Sequence, residues 1–346
     1  MKRVLLSALI AVGCTSAQAA TSINLGNYSV AGVYALDILN GTAGGISGLE
    51  ASAVAYARDR LDPNTGKYGT LFFVGDEGTG VIEISTTGQT LGYMNFGWTG
   101  TGSTKHDTEG LAYLGNDMLV VSEERLFDAY RFTYAAGGTA NLAASSVSIR
   151  NDSDYALPGQ QVGNSGLEGI SYDPRNGDFL AIKQQSPQDV LAGSLSFASA
   201  GGSALMAQLF DPALMGLATL SDVQTLSPVD ALAGTPAADN LLVLSLGSRQ
   251  LVEVDRAGAV LSAYDLSSLL NNGSDFNAIE GVTVDEKGTI YLVAEQLQGA
   301  GAPVGAKSQL IVLAAPVPEP EAYALMLAGL GLVGAVTRRR RVSQGA

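Results

Sequence analysis

The sequence predicts a single all-β domain: a β-propeller of five four-stranded blades, the last closed by the N-terminal strand. Three observations carry this. A strand–turn–strand unit that opens on a glutamate recurs at Glu50, Glu109, Glu168 and Glu280. Successive spacings are 59, 59 and 112 residues, and the last is twice 56, so a degenerate copy belongs near Asp222. A fixed period of this length with several strands per repeat is a propeller pattern rather than a helical solenoid. Second, the runs LFFVGD, MLVVSE, LLVLSL and IYLVAE are nearly continuously apolar, as strands buried on both faces are. Third, 43 of the 346 residues are glycine, which suits a fold made of tight turns. The length would suit two average domains, but one continuous array argues for one.

The clearest unit is HDTEGLAYLGNDMLVVSEER, from His106 to Arg125. It reads as a Glu-Gly turn, a strand, a Gly-Asn turn and a second strand ending on Glu123 and Glu124. The first unit supplies SAVAYAR, TLFFVGD, GVIEIST and QTLGYMNF, with Asp62-Pro63-Asn64-Thr65-Gly66 as a turn by composition. The second continues with DAYRFTYA and SSVSIRN. In the third, Asp173-Pro174-Arg175-Asn176-Gly177 repeats the same turn at the same place, and Leu205–Leu220 is expected to be a helical or irregular insertion. The fourth supplies NLLVLSL, QLVEVDR and VLSAYDL. The fifth supplies EGVTVD, TIYLVAE and QLIVLAAP and stops after three strands. Residues 20–45 read as a strand pair, and a strand near Ile23–Val33 is free to complete the fifth blade and remove both open edges. A sixth blade would require strands hidden in Leu205–Leu220.

Both ends are processing segments. Lys2 and Arg3 precede an apolar run, Val4 to Val12, and Ala17-Gln18-Ala19 fits a cleavage site, so residues 1–19 read as a secretory signal removed by signal peptidase. Cys14, the one cysteine, falls inside it; it would anchor a lipoprotein, but Ala11 fits that motif poorly. The mature domain, 20–316, therefore reaches an oxidising compartment without disulfides. Residues 317–341 comprise Pro318-Glu319-Pro320, an apolar run 322–336 and four arginines, 338–341. This tripartite tail resembles the PEP-CTERM sorting signal. The resemblance implies capture by a membrane exosortase, removal of the tail and delivery to the cell surface or exterior. An ordinary single-pass anchor, its C-terminus held inside by the arginines, is the other reading.

The chain carries a formal charge of −14; with the ends removed the body carries about −18. Such a surface repels nucleic acid and favours cations and cationic partners.

Six stretches carry a wider resemblance: ISGLEASAVAY, LFFVGDEGTGVIEIS, DTEGLAYLGNDMLVVSEER, GLEGISYDPRNGDFLAIKQQSP, LLVLSLGSRQLVEVDRAGAVL and AIEGVTVDEKGTIYLVAEQ. In word, order and spacing, from Ile46 to Leu313, the chain resembles the SdiA-regulated family of exported bacterial propellers. The resemblance implies the fold and leaves the activity open. Gln184-Gln185 and Leu246-Gly247 stand where that family tends to carry an acid.

Chemistry is expected at the acidic positions. Rotational repetition brings equivalent residues of different blades toward one axis. Glu50, Glu109, Glu168 and Glu280, with Asp76, Glu123 and Glu295 at the ends of second strands, would then converge at one channel mouth. Converging carboxylates repel one another, and a hard cation with oxygen ligands, Ca²⁺, resolves that repulsion. Alternatively, each glutamate bonds the backbone of its own blade turn while its glycine supplies an unusual dihedral. His106, the one histidine, stands beside Asp107 and could act as a general base, with Arg125 as an anion-stabilising group. Arg125, Lys183 and Arg249 recur after second strands, where ion pairing is the simplest role. A single histidine excludes multi-histidine zinc sites, and no nucleophile elbow, P-loop or dinucleotide fingerprint is present. Two functions follow: an exported propeller that binds a ligand or an envelope or exopolysaccharide partner, with calcium at its mouth, or a calcium-dependent hydrolase of lactonase or phosphoesterase type. The second rests on analogy of fold alone.

Overall fold

The computed structural model describes residues 20–36, 46, 50–149, 163, 165–185, 187–199, 201–269, 278–295 and 308–315. The signal segment and the sorting tail, Pro318 to Pro320 included, lie outside the described residues. Among the described residues, no helix is long and apolar enough to cross a membrane.

Five antiparallel sheets make the five expected blades. Blade one runs from its inner strand Ala51–Asp62 through Lys67–Gly75 and Gly80–Ile84 to Thr90–Gly97, with the short strand Thr139–Asn141 added in parallel outside. Blade two is Thr108–Gly115, Met118–Glu123, Asp128–Thr133 and Ser146–Ser148. Blade three is Leu167–Asp173, Asp178–Lys183, Asp189–Ser196 and Ser203–Gln208. Blade four is Asp222–Thr225, Leu241–Ser245, Gln250–Val254 and Val260–Asp265. Blade five takes Ile279–Val284, Ile290–Ala294 and Gln309–Ala314 from the end of the chain, and Ser29–Ala35 from its beginning.

That last pairing, Ser29 with Ala314 through Ala35 with Gln309, closes the ring. Residues 20–28 extend the closure to blade four. Ser22 Oγ and Ile23 N both donate to the buried carboxylate of Glu253, and Leu25 N donates to Ser262 Oγ. Of the expected N-terminal strand pair, the described residues hold one strand, Ser29–Ala35, and residues 37–45 lie outside them; Leu25–Asn27 is a 3₁₀ turn, and Asn24 before it has φ 55°. The expected insertion in blade three is in part a strand. Ser203–Gln208 is the outer edge of that blade, paired with Asp189–Ser196; only Pro212–Met215 is a short 3₁₀ turn, capped by Asp211. Leu205, with 78 % exposure, faces solvent there, so the run lacks the burial that would have betrayed a strand.

The apolar second strands are buried throughout: Leu241–Ser245 and Ile290–Ala294 are covered on both faces. Five apolar clusters fill the five gaps between neighbouring blades. Phe72, Leu119 and Tyr130 pack between blades one and two, for example, and Leu244, Leu251 and Leu292 between four and five. The two matching turns are alike in detail. Asp62 Oδ1 accepts from Asn64 N, Asp173 Oδ1 accepts from Arg175 N, and Gly66 and Gly177 close each turn at φ 68° and 82°. An aspartate that mimics a backbone acceptor two residues on is the reason this residue opens the turn.

The inner strands meet at closer range than side chains allow. A Cβ on Gly110 would sit 2.4 Å from the carbonyl oxygen of Glu168; one on Gly169 would sit 2.7 Å from Asp222 Cα; one on Gly281 would sit 2.8 Å from Ala53 Cα. These glycines have no positive φ. The Glu-Gly pair therefore exists for close inter-blade approach, and the unusual dihedral expected of its glycine is absent.

Candidate functional site

A register break marks the start of each of four inner strands. In blade two Thr108 opposes Glu123 and Gly110 opposes Ser122, leaving Glu109 as the extra residue. In blade five Glu280 holds the same place, and in blade three the break spans Glu168 and Gly169. Bulges of this kind re-aim a side chain at a sheet edge. In blade one the extra residue is Ser52, between Ala51 opposite Gly75 and Ala53 opposite Val74. The glycine contacts agree, since Gly281 abuts Ala53 Cα and Val54 N much as Gly110 abuts Glu168 O and Ile170 N. The structural counterpart of Glu109 in blade one is thus Ser52, and in blade four it is Ser221, one residue before Asp222.

Glu50 instead matches Asp107, two residues earlier. Glu50 O accepts from Asp76 N at 3.1 Å, and Asp107 O accepts from Glu124 N at 2.8 Å. Ala278 O accepts from Glu295 N at 2.8 Å in the same way. Sequence alignment on the glutamates misses this offset of two. The carboxylates therefore fall into two sets: Glu109, Glu168 and Glu280 at the bulges of the inner strands, and Glu50, Asp76, Glu77, Asp107, Glu124 and Glu295 around the ends of the second strands and the residues that bond them.

The carboxylates crowd one another. Ligand-type oxygens of Glu50, Asp76 and Glu77 lie within 4.8 Å of one another, and so do those of Asp107, Glu109 and Glu124. Burial, then Glu168, Glu280 and Asp107, pushes the Glu109 carboxyl well above its ordinary range. Burial, then Glu124 and Glu280, does the same to Glu168. Burial and Glu295 raise Glu280 to about 8, while burial and Glu50 raise Asp76 to about 9 and Glu295 to about 7. Glu124 rises to about 7 through burial and Asp107, against the stabilising N–H of Gly166. Oδ1 of Asp76 and Oε2 of Glu124 are buried and have no hydrogen-bond partner, although Arg125 Nε stands 3.2 Å from the latter. An all-oxygen donor set held against its own repulsion fits a hard cation such as Ca²⁺ and offers no soft ligand.

The remaining predicted residues are placed as follows. Glu123 turns into its own blade, where Ser103 Oγ and Leu126 N donate to it at 2.7 Å. Arg125 is tied to Asp107 and Glu124. The His106 ring stacks on Trp98 at 4.8 Å, and its backbone is left-handed at φ 62°. Lys183 is buried, closes the second strand of blade three in place of an acid, and donates to the backbone oxygens of Gln185 and Pro187. Asp222 is a staple between blades: Oδ2 accepts from Val282 N at 2.7 Å and Oδ1 from Val223 N at 2.8 Å.

Sequence reasoning passed over the opposite mouth. With the register corrected, Tyr56, Tyr113 and Tyr172 occupy one equivalent position on the inner strands of blades one to three, four residues beyond each bulge. They border a cavity of about 540 Å³ to which all five blades contribute. Each tyrosine follows its bulge by the same interval, and that is the signal that could have found them.

The fold is a five-bladed propeller in which carboxylates from blades one, two, three and five lie close to one another. The chain belongs to the SdiA-regulated family, which it matches over residues 34–296, and its residues 316–341 match the PEP-CTERM protein-sorting motif. Among solved structures, it is similar to the glutaminyl cyclase of Myxococcus xanthus, at 12% identity and a TM-score of 0.48, covering 84% of this chain and 97% of that one. It is also similar to a Bacteroides thetaiotaomicron protein of unknown function, at 14% identity and a TM-score of 0.44, covering 78% and 60%.

Proposed function

We propose that this is an exported propeller of the cell envelope or exterior that binds a ligand or partner and holds a calcium ion at its acidic mouth. The observation that supports this most is the convergence of Glu109, Glu168 and Glu280 from three blades, backed by two further triplets of close carboxylate oxygens. Without a cation, several of these groups must keep protons near neutral pH. A divalent ion replaces those protons and removes the repulsion. Glu109, Asp107 and Glu124 would hold it from blade two, with Glu50, Asp76 and Glu77 as a second set. The sorting motif supports export followed by exosortase removal of the tail. Hydrolysis has less support. Arg125 already serves two carboxylates, and the face of the His106 ring is covered by Trp98.

Trp98, the one tryptophan in the chain, lies beside this mouth and reports on it. Calcium titrated into chelator-treated protein should change Trp98 fluorescence saturably and raise the melting temperature. At 100 times the dissociation constant the native state gains about 2.7 kcal/mol. For a domain of this size that is at least roughly a degree or two. Identical melts with calcium and with chelator would reject the reading.

A further inference from the structure

The channel's other mouth has a different chemistry. Tyr56, Tyr113 and Tyr172 stand on three consecutive blades around a cavity of about 540 Å³, with Asp59 and Glu286 at its edge. This volume suits a small molecule. Each of two tyrosines is tied to one of the carboxylates: Tyr56 Oη donates to Glu286 Oε2 at 2.7 Å, and Tyr113 Oη donates to Asp59 Oδ1 at 2.5 Å. The second oxygen of Asp59 accepts from Asn116 N at 2.8 Å. These bonds fix the ring orientations, and a phenol that donates to a carboxylate is polarised toward phenolate, which enriches its ring face in electron density. The rings are braced from behind as well: Tyr56 stacks on Tyr291 at 6.1 Å and Tyr113 on Phe72 at 5.9 Å.

Charge decides between ligand classes. Burial opposes ionisation of Asp59 and Glu286, but the tyrosine hydroxyls and nearby backbone N–H groups outweigh it, so both carboxyls titrate below their ordinary range. The two tyrosines are held well above theirs by burial and these same bonds, and stay neutral. Of the cations near this rim, Arg58 is bonded to Asp230 by two 2.8 Å bonds, and Arg60, which acts on Asp59 through space, is itself bonded to Glu83 and Asp117. Lys287 stands 3.5 Å from Glu286 and is largely exposed. An anionic ligand would meet two fixed carboxylates in a strongly acidic protein. A neutral sugar could stack on the rings but would gain nothing from the charge.

We infer that this tyrosine-lined mouth is a binding site for a small organic cation of the alkylammonium class. Its apolar substituents would rest on the ring faces while the positive charge is held by the rings and the two carboxylates. Aromatic faces bordered by carboxylates recognise such cations through cation–π attraction. This site is separate from the acidic mouth and does not depend on calcium being held there.

The test is calorimetry on the purified exported protein in chelator, with choline as the probe. Its neutral carbon isostere, 3,3-dimethyl-1-butanol, and a neutral hexose serve as comparisons. Choline should bind saturably at one site, and the isostere at least tenfold more weakly. Tyr113→Leu should weaken choline at least tenfold, whereas Tyr113→Phe should cost only a few-fold, since the ring face remains. Glu286→Gln, which keeps the shape and removes the charge, should also weaken binding and serves if Tyr113→Leu does not fold. Glu109→Gln, at the far mouth, should leave it unchanged. No choline binding at millimolar concentration, equal binding of the isostere, preference for the hexose, or insensitivity to both Tyr113→Leu and Glu286→Gln would each overturn the inference. Loss of choline binding in Glu109→Gln would place the cation at the wrong mouth and overturn it too.

Discussion

Glu124→Gln isolates the cost of assembling the acidic mouth. Glu124 is 1 % exposed, and its carboxyl is raised from 4.5 to about 7. In the unfolded chain that proton leaves near the ordinary value; in the folded, cation-free protein it is kept until about pH 7. The folded state therefore binds more protons between these limits, and its stability falls as pH rises through that window. Below the window both states are protonated and the group contributes nothing. Above it the loss is complete, and at about 1.4 kcal/mol per unit it amounts to about 3 kcal/mol. Glutamine retains an acceptor for Gly166 N, which bonds Oε1 at 3.0 Å, and has no proton to lose. Chemical denaturation in chelator at pH 5 and pH 8 measures the effect. The wild-type protein should lose on the order of 3 kcal/mol more than the variant between those pH values. Parallel losses in the two proteins would refute the reasoning.

Three other outcomes are expected. Removing residues 20–33 strips most of the fourth strand from blade five and the donors Ser22 and Ile23 from Glu253, so the melting temperature should fall sharply in thermal denaturation; an unchanged melt would contradict ring closure. Gly169→Ala would bring a methyl within 2.7 Å of Asp222 Cα and should cost about 1–3 kcal/mol by denaturant titration, as overpacking does. In an exosortase-bearing host, the intact mass of the exported protein should lack residues 338–341.

The repeat and its strands were legible because the apolar second strands need burial on both faces and the turns need Asp and Gly at fixed offsets. Asp62–Gly66 and Asp173–Gly177 show this directly, as does the fifth blade, whose missing strand pointed to the N-terminus. Sequence alignment failed where a backbone irregularity carries the geometry. A bulge adds one residue without a distinctive side chain, so Glu50 was aligned with Glu109, although Ser52 holds that place. The same two-residue slip hid Tyr56 from its partners Tyr113 and Tyr172. Asp222 could be placed only to within one residue, because a carboxylate that staples Val282 N looks in sequence like one that faces a channel. Glu123 and Glu124 are adjacent and chemically alike, and only the turn that follows sends the first into the blade and leaves the second at the mouth.

The most direct test of the acidic mouth is the proton count on calcium binding. Calorimetry in two buffers of different ionisation enthalpy, at pH 7, gives both the stoichiometry and the protons released. Because Glu280 and Asp76 are raised to about 8 and about 9, and Glu109 and Glu168 well above their ordinary range, calcium should bind with release of at least one proton per ion, and Glu109→Gln should weaken binding and reduce that release. Calcium binding with no proton exchange, or no calcium binding at all, would contradict a mouth built from mutually repelling carboxylates that a cation relieves.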